Sequence, residues 1–128
     1  MSLNKAILRK PKPRLEDEEQ KAVVKFLKIN YPKALYCASA GGMRTSMKQA
    51  IKMKAMGYVA GFPDLFIYEP NGLYNGLAIE MKRTKGGVVS NEQKEWLKSL
   101  NQRHFKAVTC YGALDAIQTI IKYFKGEI

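Results

Sequence analysis

Apolar and polar positions along the chain change their period several times, and each change marks an element. Over residues 16–30, Val23, Val24, Phe26 and Leu27 recur at helical spacing, and Glu16 and Gln20 continue that stripe by a further turn. The acidic start Glu16-Asp17-Glu18-Glu19 complements a helix dipole, and Pro32 lies beyond the limit of the helix. Ala34-Leu35-Tyr36-Cys37 predicts a short strand, broken by Ser39-Ala40-Gly41-Gly42. Thr45 or Ser46 caps a second helix that reaches Met56, with Gly57 as its stop and Met47, Ile51 and Ala55 at core spacing. Two apolar runs, residues 61–67 and 77–82, enclose the turn signals Pro70-Asn71-Gly72 and Asn75-Gly76, which predicts an antiparallel hairpin. Ser90-Asn91-Glu92-Gln93 is a capping-box pattern and opens a helix burying Trp96, Leu97 and Leu100. Residues 105–111 predict another strand and residues 113–124 a last amphipathic helix. The order α-β-α-β-β-α-β-α describes an α/β fold with a central mixed sheet flanked by helices, in one domain over residues 1–128.

Composition narrows the picture. The 128 residues suffice for one core, and no apolar run approaches the ~20 residues of a membrane-spanning helix. The basic N-terminus leads into prolines and acids rather than an apolar stretch, so no secretory leader is expected and the location is cytoplasmic. Cys37 and Cys110 make neither a disulfide framework nor a zinc set, and both are expected reduced. The net charge is +11 and uneven: residues 1–60 hold 13 Lys/Arg against 4 Asp/Glu, residues 61–128 hold 9 against 7. That excess suggests a polyanionic partner, of which nucleic acid is the commonest; the alternative is charge for solubility. Residues 1–14 form a basic arm whose compact part, residues 9–14, either touches phosphates or is a solvated leader.

The hairpin carries the chemistry. Asp64 starts one run; Glu80 and Lys82 end the other and share a strand face. Antiparallel pairing brings two carboxylates and an ammonium to one sheet edge, an arrangement suited to a hard divalent cation. Asp64, Glu80 and the Met81 backbone carbonyl are candidate ligands of Mg²⁺ or Mn²⁺, and Glu16 is a candidate third carboxylate. Lys82 is placed to orient water or stabilise charge developing on phosphorus. The competing interpretation is an exposed Glu80–Lys82 pair with Asp64 as a cap. Arg44, beside Gly41-Gly42, and Lys48, Lys52, Arg83 and Lys85 are candidate phosphate contacts or simply solvated charges. Gln93 closes the capping box and also faces the fold. His104 is expected at a helix C-terminus, Tyr58, Phe62 and Trp96 in the core, and a nucleophilic role for Cys110 is not expected.

Glu16-x-x-x-Gln20, Gly41-Gly42 with Arg44, Gly57-x-x-x-Gly61-Phe62-Pro63-Asp64-Leu65, Glu80-Met81-Lys82 and Ser90-x-x-Gln93-x-x-Trp96-Leu97 together resemble the VRR-NUC domain, a branch of the PD-(D/E)XK nuclease superfamily. The resemblance covers roughly residues 15–124. It implies a restriction-endonuclease-like core similar to Holliday-junction resolvases, and a metal-dependent nuclease of the small stand-alone type typical of phages and prophages. It implies Asp64 and Glu80 as metal ligands, Lys82 as the catalytic lysine, Glu16 or Glu19 as the helix-one acid, and Gln93 as a polar residue near the site. It further implies a homodimer acting on DNA, with branched, flapped or four-way structures as expected substrates. The alternatives are a catalytically inactive nucleic-acid-binding module of the same fold, a sequence-specific restriction enzyme, and a structural protein using its charge for packing.

Overall fold

The computed structural model describes residues 15–39 and 46–128. Helix α1 (Leu15–Asn30) leads to strand β1 (Tyr36–Ala38) and helix α2 (Met47–Ala55). Strands β2 (Leu65–Ile67) and β3 (Leu77–Lys82) follow, then α3 (Asn91–Asn101), β4 (Lys106–Tyr111) and α4 (Ala113–Phe124). The sheet order is β1-β2-β3-β4, antiparallel except for the parallel pair β3–β4, whose crossover is α3. The expected element order and mixed sheet are present among the described residues.

Helices cover both faces of the sheet. On one face Val23 and Leu27 of α1 and Ala116, Ile120 and Tyr123 of α4 pack on Leu65, Ile67, Leu77, Ile79 and Met81. On the other, Phe66, Ala78 and Ala107 meet Leu100 of α3, with Phe62, Trp96, Leu97 and Phe105 closing the cluster. Every residue of β3 is therefore buried, its charged ones included. A strand covered on both faces reads as a continuous apolar run, and the interruption of that run by Glu80 and Lys82 is its anomaly.

Three expectations need correction. The first strand lies further along than residues 34–37, at Tyr36–Ala38, because the Leu35 amide donates to the Glu69 side chain at 2.9 Å instead of to a sheet carbonyl. Met47, Ile51 and Ala55 are not in the core: α2 buries no residue, and Met47 is 82% exposed. Helical spacing identifies a face but not a partner for it. Tyr58 is likewise exposed, in the turn after α2. The basic arm at residues 1–14, Gly41-Gly42, Arg44 and Thr45 lie outside the described residues; Ser46 is the residue that caps α2, accepting from the Gln49 amide at 3.2 Å.

Candidate active site

Pairing Leu65 with Ile79 puts the next residue pair, Asp64 and Glu80, opposite each other at the end of the hairpin. The Asp64 Oδ2 accepts from the Met81 amide at 2.7 Å. Within a strand the N–H and C=O of one residue point to the same side, so the Met81 carbonyl also faces the Asp64 side. Glu80 is 2% exposed. Its Oε1 accepts from Gln93 Nε2 at 2.6 Å and lies 3.5 Å from Lys82 Nζ. Its Oε2 is buried and has no hydrogen-bond partner among the described residues.

Local sequence fixes this geometry. Gln93 is pinned at both ends of its amide: Oε1 accepts from the Ser90 amide at 2.8 Å while Nε2 holds Glu80. The Ser90 hydroxyl accepts in return from the Gln93 amide at 3.2 Å, which completes the capping box. The same glutamine thus starts α3 and holds a carboxylate of the central strand. Gly61 brings the chain ahead of Asp64 against this turn; a Cβ there would lie 2.6 Å from the Glu92 carbonyl carbon, and φ is +85°. Gly87 allows the loop after β3 to fold over Lys82, since a Cβ there would lie 2.9 Å from the Lys82 Cβ.

Electrostatics follow from burial and like charge. Burial, then the neighbouring Asp64 carboxylate, push Glu80 up to about 8, against the opposing pull of Lys82. Asp64 is also raised, mainly by burial, and the Met81 amide, Glu80 and Lys82 oppose the rise. An unpartnered buried carboxylate oxygen beside a second carboxylate is a poor arrangement for a closed polar core and a suitable one for a cation. Among the described residues no cluster of three or more His, Cys, Asp and Glu side chains gathers. Asp64, Glu80 and the Met81 carbonyl nevertheless match the chemistry of Mg²⁺, which needs only one or two carboxylates and keeps several waters.

The other expected residues divide. Glu19 is engaged elsewhere: its carboxylate accepts from the Ala113 amide, capping α4, whose N-cap Gly112 has no side chain to do so. Glu16 is half-buried and close enough to raise Asp64 by its charge, although it makes no hydrogen bond to the pair. Lys48 and Lys52 are exposed on α2. Arg83 and Lys85 are exposed in the loop after β3, where the Arg83 guanidinium donates to the Gly86 carbonyl at 3.4 Å. Arg44 lies outside the described residues. Phe62 and Trp96, expected in the core, are half-buried against its second cluster, with ring centroids 5.0 Å apart. His104 follows α3 as expected, in a left-handed conformation at φ 65°. Burial pushes the Cys110 thiol up to about 11, in keeping with a non-nucleophilic role.

Sequence reasoning missed one feature. A cavity of about 620 Å³ opens beside Asp64, with α1 from Asp17 to Lys28 on one side and Ser39 on the other. The available signal was the spacing of Asp17, Lys21, Lys25 and Lys28, one polar stripe alongside the core stripe of the same helix.

Asp64 and the Glu80-x-Lys82 set thus converge at the end of the central hairpin of a mixed sheet. The VRR-NUC domain model matches residues 4–114. A solved structure described as a VRR_NUC domain protein is 32% identical, with a TM-score of 0.76, covering 90% of this chain and 92% of that one. No curated protein matches the chain. The chain belongs to the VRR-NUC family of nuclease-type domains.

Proposed function

We propose that this protein is a Mg²⁺- or Mn²⁺-dependent deoxyribonuclease that hydrolyses phosphodiester bonds in branched, flapped or four-way DNA. The observation that carries the reading is the buried, unpartnered Glu80 Oε2 opposite Asp64, with Lys82 alongside. Asp64, Glu80 and the Met81 carbonyl hold the cation. When bound, it supplies Lewis-acid polarisation of a phosphoryl oxygen and lowers the pKa of a nearby water. Lys82 stabilises charge developing on phosphorus, and its burial keeps bulk water from screening that charge. Gln93 keeps Glu80 Oε1 occupied, so Oε2 is the oxygen left for the cation. Glu16 adds negative charge at the same end of the sheet. Lys48, Lys52, Arg83, Lys85 and Arg44 contribute sequence-independent affinity for phosphates, and DNA geometry selects the substrate. A homodimer suits this role, since two sites cut symmetric strands of a junction. Support for it comes from the exposed apolar side chains of Met47, Ile51, Met56 and Tyr58.

The test is a panel of labelled single strands, duplexes, flaps and four-way junctions with Mg²⁺, Mn²⁺, Ca²⁺ or chelator. Cutting is expected with Mg²⁺ and Mn²⁺, and binding without cutting in Ca²⁺, whose looser coordination positions water poorly. Asp64→Ala, Glu80→Gln and Lys82→Ala should each lower cleavage by about 100-fold or more while DNA binding persists. Wild-type cleavage in chelator, or full activity of these variants, would refute the assignment.

A further inference from the structure

The groove beside the carboxylates carries a charge pattern that the hydrolytic chemistry leaves unused. One wall is α1, and Ser39, just after β1, and Asp64 line the groove opposite it. Lys21, Lys25 and Lys28 line it on the solvent side of α1, and Val24 forms an apolar floor. From Lys21 to Lys28 the helix rises about 10 Å, the axial length of about three phosphates of one DNA strand. Direction is also fixed. The N-terminal part of α1 lies at the site end, where Glu19 caps α4, and its C-terminal end lies where Tyr31 stacks on Phe124 with centroids 4.1 Å apart. The lysine row therefore leads away from Asp64. Lys21 is occupied only by Glu18, at 3.0 Å in an exposed pair of the kind worth little. Lys25 and Lys28 form no ion pair among the described residues. At the site end, the Ser39 amide donates to the Asp64 carbonyl at 2.9 Å.

We propose that this groove is the track of the DNA strand being cut: Lys21, Lys25 and Lys28 neutralise successive phosphates leading away from the carboxylates. The inference rests on the nuclease reading and adds to it which strand surface is held and in which direction it runs. A polyanionic backbone fits a row of exposed ammonium groups along one helix better than a small anion does, since a small anion would engage only one of them.

The experiment measures binding of a labelled duplex and a four-way junction over a range of salt concentrations in Ca²⁺, with cleavage kinetics in Mg²⁺. The Lys21→Gln/Lys25→Gln/Lys28→Gln protein should lose about 2 to 3 from the slope of log K against log salt, at about 0.9 per phosphate contact. Its KM should rise at least tenfold with kcat within about twofold. Lys122→Gln/Lys125→Gln, at the opposite end of the sheet, removes two charges and should change neither. An unchanged slope in the triple variant, or a fall in kcat at unchanged KM, overturns the track. A wild-type protein that binds DNA but never cuts it would sink the nuclease reading and still leave the salt slope to judge the groove.

Discussion

Glu80 is the residue on which burial and function conflict most. A glutamate at the centre of a sheet covered on both faces keeps its proton unless something opposes it, and Lys82 opposes it only in part. Unfolded, the group titrates near 4.5; in the cation-free fold it titrates at about 8. Between those values the folded protein binds the extra proton, so stability must fall as pH rises through the window and level off above it. Asp64 is shifted in the same direction and adds to the slope. Melting temperatures in chelator from pH 5 to 8.5 should therefore decline, and Glu80→Gln should flatten most of that decline; a rising or flat wild-type profile would contradict it. Asp64, Glu80 and Lys82 were legible because strand alternation fixes which side chains share a face. The choice between Glu16 and Glu19 as the helix-one acid was not, because both lie in one turn of an acidic run. Which of them is free depends on where α4 begins, and no local pattern carries that.

Among the elements, α3 links folding to the site most directly. Its capping box does two jobs, since the Gln93 side chain that closes the helix N-terminus is also the donor to Glu80. Ser90→Ala should cost about 1 kcal/mol of stability through the lost cap, and should free Gln93 to leave Glu80. Cleavage should then fall by more than the stability loss explains at a temperature where the variant is fully folded, and Ser90→Thr should restore both. Activity unchanged by Ser90→Ala would show that Glu80 keeps its orientation without this support. The capping box and the hairpin were visible in sequence because both are local devices with fixed offsets. The same local logic misplaced α2: its apolar spacing is real, but nothing among the described residues lies on it. Periodicity records that a face is apolar and leaves open whether the chain itself covers it.

Across the whole molecule, the charge excess and the buried acids separate by position. The lysines of α1 and α2 are exposed, whereas Glu80 is enclosed between helical layers and Asp64 closes the same end of the hairpin. The fold thus holds basic charge outside and acidic charge inside, and the two come together at the end of the hairpin where Asp64 lies. A cation at that point would join β2 to β3, and through Glu80 and Gln93 would also hold α3, so its binding energy should appear as stability of the entire domain. One site filled at 100 times its dissociation constant contributes about 2.7 kcal/mol. For a domain of this size that corresponds to a rise in melting temperature of roughly 10 °C. Differential scanning calorimetry without DNA should show such a rise with saturating Mg²⁺, Mn²⁺ or Ca²⁺, since stabilisation needs the ligands and not the reaction. Asp64→Ala should abolish the rise, while Lys82→Ala, which removes no ligand, should retain it. Equal shifts in wild type and Asp64→Ala would mean that the cations act elsewhere on the surface, and that the carboxylate pair is not where they bind.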